Sequence, residues 1–130
     1  LIVLQDGKRI YERYAPGYGP GTRLISWSMA KSITSTLIGE LVGDGRLELD
    51  TPAPVPEWKG DARGKTTLRQ LLHMASGVRH LEAGPEPEKS DTNRALFADT
   101  SADIYRAAVA EPAEVPPGTR FQYNTLTTHI

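Results

Sequence analysis

Ser28 and Lys31 stand three residues apart in "SWSMAKSITSTLIGEL", residues 26–41. At a helical rise of ~1.5 Å per residue the two side chains share one face. A serine hydroxyl is a poor nucleophile until a base takes its proton, and a lysine amine is such a base only when neutral. Burial and a positive neighbour both disfavour an ammonium. The start of a helix carries partial positive charge, so a cation in its first turn costs a few tenths of a kcal/mol up to ~1. A lysine that is poorly placed for helix stability is thus well placed for chemistry. First-turn N–H groups also lack intrahelical partners. The N–H of Ser28 can point at the oxygen of an attacked carbonyl, a contact worth roughly 2.7–4 kcal/mol of barrier. The competing reading is plain: Ser28 or Ser26 caps the helix, and Lys31 reaches into solvent.

Other residues offer less. Trp27, beside Ser28, either lines a pocket or packs in a core. Tyr18 lies in the Gly/Pro loop "APGYGPGT", where a rim contact with substrate competes with a plain loop role. His73, His80 and His129 lack metal-ligand spacing, and no cysteine is available to help them. Glu57 and Trp58 close a proline-rich loop without evident chemistry. Asp44 and Asp50 flank the Gly45 turn and read as turn residues.

The elements that must position these groups can be read from patterning. "LIVLQDGKRIYERY" is a hairpin, with Asp6-Gly7 as its two-residue turn. "RLISW" is a short strand or an extended approach. Met29, Ile33, Leu37 and Leu41, widened by Ala30, Ile38 and Val42, give a helical apolar stripe that Gly43, Asp44 and Gly45 end. "TPAPVPEW" is a surface loop, since alternating prolines exclude a regular helix. "TTLRQLLHMASGV" is a second helix, capped by Thr66 or Thr67 and stopped by Gly77. Residues 81–93 are polar and proline-bearing, an exposed excursion. "SADIYRAAVAEP" is a third helix, capped by Ser101 and ended near Pro112. "EVPPGTRFQYNT" is a turn before a last, cut helix.

The totals bound the class. The chain has 130 residues with 15 basic and 16 acidic side chains, so no charge footprint for nucleic acid or an anionic membrane is present. Apolar runs are too short to span a bilayer. Disulfide and thiol chemistry are excluded, and the compartment is left open. Leu1 begins inside an apolar run and Ile130 ends inside "TLTTHI", as expected of a piece of a longer protein.

"SWSMAKSITSTLIGELVGDGRLELDTP" resembles the nucleophile helix of the serine β-lactamase and penicillin-binding-protein superfamily. The likeness is to its class C branch, with the related esterases and 6-aminohexanoate-dimer hydrolases. "TTLRQLLHMASGV" is similar to that group's Thr-x-x-x-Leu-Leu-x-x-x-Ser-Gly helix, and "PPGTRFQYNT" to its Pro-Gly-Thr…Tyr-x-Asn segment. The resemblance implies an α+β, β-lactamase-like fold, with an antiparallel sheet flanked by helices plus an all-helical region. This chain would be an N-terminal fragment of it, residues 1–130 forming one partial domain. It implies Ser28 as the acylated nucleophile, Lys31 as its base and Tyr123 as the proton shuttle. A phenol near cations suits that task, whereas a tyrosine packed at a turn is the alternative. Thr125 stands where the pattern has asparagine. Its hydroxyl cannot supply an amide donor and acceptor together, which favours a small-molecule ester or linear amide over a β-lactam. The closing Lys-Thr-Gly or His-x-Gly strand is absent from these residues. No metal or cofactor is required, and no nucleic-acid or membrane partner is expected. A non-turnover binding or sensor module, or a structural domain without chemistry, remains the alternative on the same fold.

Overall fold

The computed structural model describes residues 1–98 and 103–130. The chain divides into two compact units, Leu1–Ala30 and Lys31–Ile130.

In the first unit, β1 (Ile2–Gln5) pairs antiparallel with β2 (Lys8–Glu12). The pairing runs from Ile2 opposite Glu12 to Gln5 opposite Lys8, with a bulge between Val3 and Leu4. Asp6 and Gly7 both take positive φ, 48° and 72°. Two successive left-handed residues define the hairpin turn whose twist matches the strands, which is why Asp-Gly serves there. Residues 15–22 form the expected loop, closed by turns at Tyr18 and Thr22. Residues 22–26 form no strand, and "RLISW" ends out of extended geometry: Ser26 has φ −78° and ψ −16°, in the helical region, and Trp27 opens a 3-10 turn. A single 3-10 turn, Trp27–Met29, then leads into α1 (Ala30–Gly43).

In the second unit, the apolar stripe of α1 splits. Ile38, Leu41 and Val42 are half-buried, whereas Ile33 and Leu37 remain 62% and 60% exposed. No residue of α1 is fully buried. The helix closes on Gly45, whose φ is +69°: the N–H of Gly45 donates to the Val42 carbonyl and that of Arg46 to Leu41. This double return is the Schellman arrangement, which needs a left-handed residue just past the helix.

The second helix, α2, covers only Leu68–Leu72 and stops well short of Gly77. Of the two candidate caps it is Thr67 that closes the start: its hydroxyl accepts from the N–H of Gln70, and the Gln70 amide oxygen accepts from the N–H of Thr67. Thr66 is instead buried. The end repeats the Schellman pattern with methionine in the glycine position. Met74 has φ +56°, its N–H donates to Leu71, and the Ala75 N–H donates to Gln70. Gly77, also left-handed at φ +76°, lies in the following chain, where a bridge joins Val78 to Ala113.

The segment expected as a surface loop is core. Val55 and Trp58 are buried with Leu71, Val78 and Val109, and Trp58 is 1% exposed. A 3-10 turn over Pro56–Trp58 brings the indole inward. Prolines bar a regular helix there, but nothing about them bars burial of the indole that follows.

Residues 83–89 are exposed, as expected of that excursion, but its end is not. Leu81 and Asp91 clasp each other: the Asp91 N–H donates to the Leu81 carbonyl at 2.9 Å, and the Leu81 N–H donates to the Asp91 carboxylate at 2.8 Å. Ser90 and Asp91 are buried, and they open a helix that the sequence pattern did not announce, α3 (Asp91–Phe97). Ser90 caps it by accepting from the N–H of Asn93. The part of the third expected helix that is described, α4 (Ile104–Ala110), is capped by Asp103; Ser101 lies outside the described residues. Ala95, Ala108 and Leu126 form a second buried cluster, with Ile130 touching both. The last element is a 3-10 turn, Leu126–His129.

Candidate active site

Lys31 enters the second unit at the start of α1, and two of the expected partners meet it there. Its Nζ donates to Thr125 Oγ1 at 3.3 Å and stands 5.2 Å from the centre of the Tyr123 ring. The amine nitrogen thus lies over the face of the phenol ring. Lys31 is half-buried, and Tyr123 is 38% exposed, open to a ligand.

Tyr123 and Thr125 are presented by the stretch that follows the Gly118 turn. The N–H of Gln122 donates to the Met74 carbonyl at 2.8 Å, and the Gln122 amide donates to the His80 carbonyl at 2.5 Å. The end of α2 therefore fixes the register of the tyrosine segment. Asn124 turns inward: it is buried, and its Oδ1 accepts from the N–H of Thr127. Asn124 is thus committed to the turn that follows and does not stand in for an asparagine at 125.

The Thr125 side chain does not cap the 3-10 turn it precedes. It is taken by Glu82 instead. The Thr125 hydroxyl donates to Glu82 Oε1 at 2.5 Å and its backbone N–H donates to Oε2 at 2.8 Å. His80 Nε2 and Thr92 Oγ1 converge on the same Oε2, at 2.7 and 3.0 Å. Burial pushes the Glu82 carboxyl up, but the donors from Thr125, His80 and Thr92 more than reverse it, and the group lies below the usual glutamate range. The His80 side chain is buried, and among the described residues its Nδ1 has no hydrogen-bond partner; the tautomer with its proton on Nε2 is the one that suits the carboxylate there. Sequence reasoning missed Glu82 and His80. They sit in a polar stretch where spacing carries no signal, and their partners lie 43 residues away in the case of Thr125.

A pocket of about 110 Å³ opens beside Lys31. Ile38, Leu68, Leu71, Met74 and Ile130 give it an apolar wall, and Thr34, Thr127 and Thr128 a polar edge. His129, at the chain's last turn, is pushed below the usual imidazole value, first by burial and second by the charge of Lys31.

Ser28, Trp27 and Tyr18 belong to the first unit. Ser28 is the middle residue of the 3-10 turn, three positions before Lys31 in the chain. Trp27 is 71% exposed and carries φ +46°, a left-handed backbone on a bulky residue. Such strain persists only where the surroundings impose it, and it gathers at functional positions. Tyr18 is 54% exposed in its loop. No cluster of metal-ligating side chains exists among the described residues.

The hairpin, the helix that begins at Lys31's turn and the segment that brings Tyr123 and Thr125 to that lysine belong to a β-lactamase-like fold. The match to the Beta-lactamase family covers residues 1–130, and the chain belongs to that family. Among its relatives, a 6-aminohexanoate-dimer hydrolase of Paenarthrobacter ureafaciens is 28% identical over 139 residues, covering 100% of this chain and 35% of the relative. A Bacillus anthracis structure, provisionally assigned as a 6-aminohexanoate-dimer hydrolase, superposes with TM-score 0.77 and 29% identity over 98% of this chain and 36% of its own. A provisionally assigned β-lactamase of Bacteroides dorei DSM 17855 gives 0.75 and 26%, over 98% of this chain and 37% of its own. The chain thus spans about a third of the length of these relatives, matching the expectation of a partial fold.

Proposed function

We propose that the protein is a serine hydrolase that cleaves a carboxylic ester or small linear amide through an acyl-enzyme. The observation that supports this reading is the placement of Lys31, with Tyr123 at 5.2 Å and Thr125 at 3.3 Å. The Ser28 hydroxyl loses its proton to neutral Lys31 and attacks the substrate carbonyl. Tyr123 passes a proton to the departing alcohol or amine. Tyr123 regains its proton from the Lys31 ammonium; water then attacks the Ser28 ester as the restored lysine amine takes its proton, which passes through Tyr123 to the departing Ser28 oxygen, and the acid leaves. Thr125 contacts the substrate. The names of the hydrolase relatives agree with an amide or ester bond as the target.

The test is a fluorophosphonate probe and a nitrophenyl ester. A hydrolase is labelled at Ser28 and turns the ester over, and Ser28→Ala abolishes both. Labelling without turnover identifies a sensor, and absence of labelling identifies a structural domain; either result rejects the proposal.

A further inference from the structure

The Glu82 carboxylate gathers donors from three separate residues, and the mechanism above does not employ it. It takes four donors in all, and two of them belong to Thr125. A hydroxyl has one proton and two lone pairs. The Thr125 proton is committed to Glu82 Oε1, so toward Lys31 the same oxygen can only accept. Bonds to an ionised carboxylate are shorter and about twice as strong as neutral ones, so this direction is firmly set. The backbone N–H of Thr125 adds a second anchor, which fixes the residue's position as well as its hydroxyl. Behind Glu82, buried His80 and Thr92 of α3 hold the carboxylate itself.

We propose that Glu82 is a positioning residue for this site: by binding both polar groups of Thr125 it presents the threonine oxygen as an acceptor that orients the Lys31 amine. The inference rests on the hydrolase reading for its kinetic consequence but not for its geometry. Asparagine in the family pattern orients by its own amide. With threonine at 125, the carboxylate supplies the fixed direction that a freely rotating hydroxyl lacks.

The experiment compares Glu82→Gln, Glu82→Asp and Thr125→Val with the wild-type protein, by nitrophenyl-ester kinetics and by ¹⁵N NMR of the lysine Nζ groups, with Lys31→Arg assigning the Lys31 signal. Misplacement of a catalytic group by about 1 Å can cost up to ~10²-fold in rate. Glu82→Gln is expected to lower kcat by roughly 10- to 100-fold, with KM little changed, and to shift the Lys31 Nζ signal. Glu82→Asp restores part of kcat, and Thr125→Val reproduces the Glu82→Gln result. A folded Glu82→Gln protein with wild-type kcat and an unmoved Lys31 signal overturns the proposal. If the wild-type protein turns over no ester, the hydrolase reading fails, and the Nζ signal alone decides on Glu82. If Glu82→Gln does not fold, Glu82→Asp, which shortens the reach to Thr125 and leaves the threonine in place, decides: wild-type kcat with an unmoved Lys31 signal overturns the proposal, and a lowered kcat with a shifted signal supports it.

Discussion

The indole N–H of Trp58 donates to the carbonyl of Val109 at 2.9 Å, joining residues 51 positions apart at the centre of the larger core. That carbonyl also accepts from Arg63 Nη1 at 2.8 Å. Two consequences separate. Trp58→Phe removes one donor but leaves the carbonyl satisfied, so the expected loss is only about 1 kcal/mol for a net hydrogen bond, with some repacking. Trp58→Ala opens a cavity and is expected to cost roughly 3–5 kcal/mol. Urea unfolding of the two variants checks the ordering, and equal losses would show that the hydrogen bond dominates.

Gly77 is a position where backbone meets backbone. A Cβ built on it would lie 2.2 Å from the Val115 carbonyl oxygen, and its φ is +76°. Neither the carbonyl nor the φ can yield cheaply. Overpacking of about 1–3 kcal/mol and a left-handed penalty of about 1–2 kcal/mol combine for Gly77→Ala, a loss of roughly 2–5 kcal/mol. The same loop carries the Glu114 and Val115 N–H groups that donate to the Gly77 carbonyl. Thermal melting of Gly77→Ala tests this, and an unchanged midpoint would contradict the close approach.

Met74 offers a cleaner comparison. Its side chain lines the pocket beside Lys31, while its backbone is left-handed. Met74→Ala loses the packing and keeps the strain. Met74→Gly loses the packing and relieves it. Glycine is therefore expected to be the more stable replacement by about 1 kcal/mol, the reverse of the order found inside a helix. Chemical denaturation of the pair measures that difference directly.

His129 gives a pH dependence with a definite sign. Its pKa is lowered by burial and by Lys31, so the unfolded chain binds the proton more tightly. Its contribution is neutral well above the usual imidazole value, and stability falls as pH drops through that value toward the lowered one. Lys31→Met removes the charged neighbour and is expected to raise the His129 pKa, with the burial effect remaining. NMR titration of the His129 ring checks the direction, and a downward move would contradict it.

The local devices were legible because local physics sets them. Asp6-Gly7 gave the hairpin, the Thr66-Thr67 pair bracketed the start of α2, and the apolar stripe closed by Gly43-Asp44-Gly45 gave the run and end of α1. The Tyr-x-Thr segment was found by likeness to a pattern, and its meeting with Lys31 follows from tertiary packing. What escaped was set at long range. The early end of α2 depends on Met74 tolerating a conformation normally left to glycine. The burial of Ser90 and Asp91 depends on a clasp with Leu81 across ten positions. Glu82 and His80 gain their roles only when Thr125 and Thr92 are brought to them, and no periodicity records that.

The Asp6-Gly7 ribbon has a practical consequence. Among the described residues its two strands pair only with each other, leaving one flank of each unjoined, and Ile2, Leu4 and Ile10 stand in the open at 52%, 66% and 59%. Solitary hairpins are weak in water, and greasy unjoined flanks invite stacking between molecules. Preparations of the 130-residue polypeptide by itself should therefore turn cloudy as they are concentrated, and lysines introduced at Leu4 and Ile10 should keep them clear.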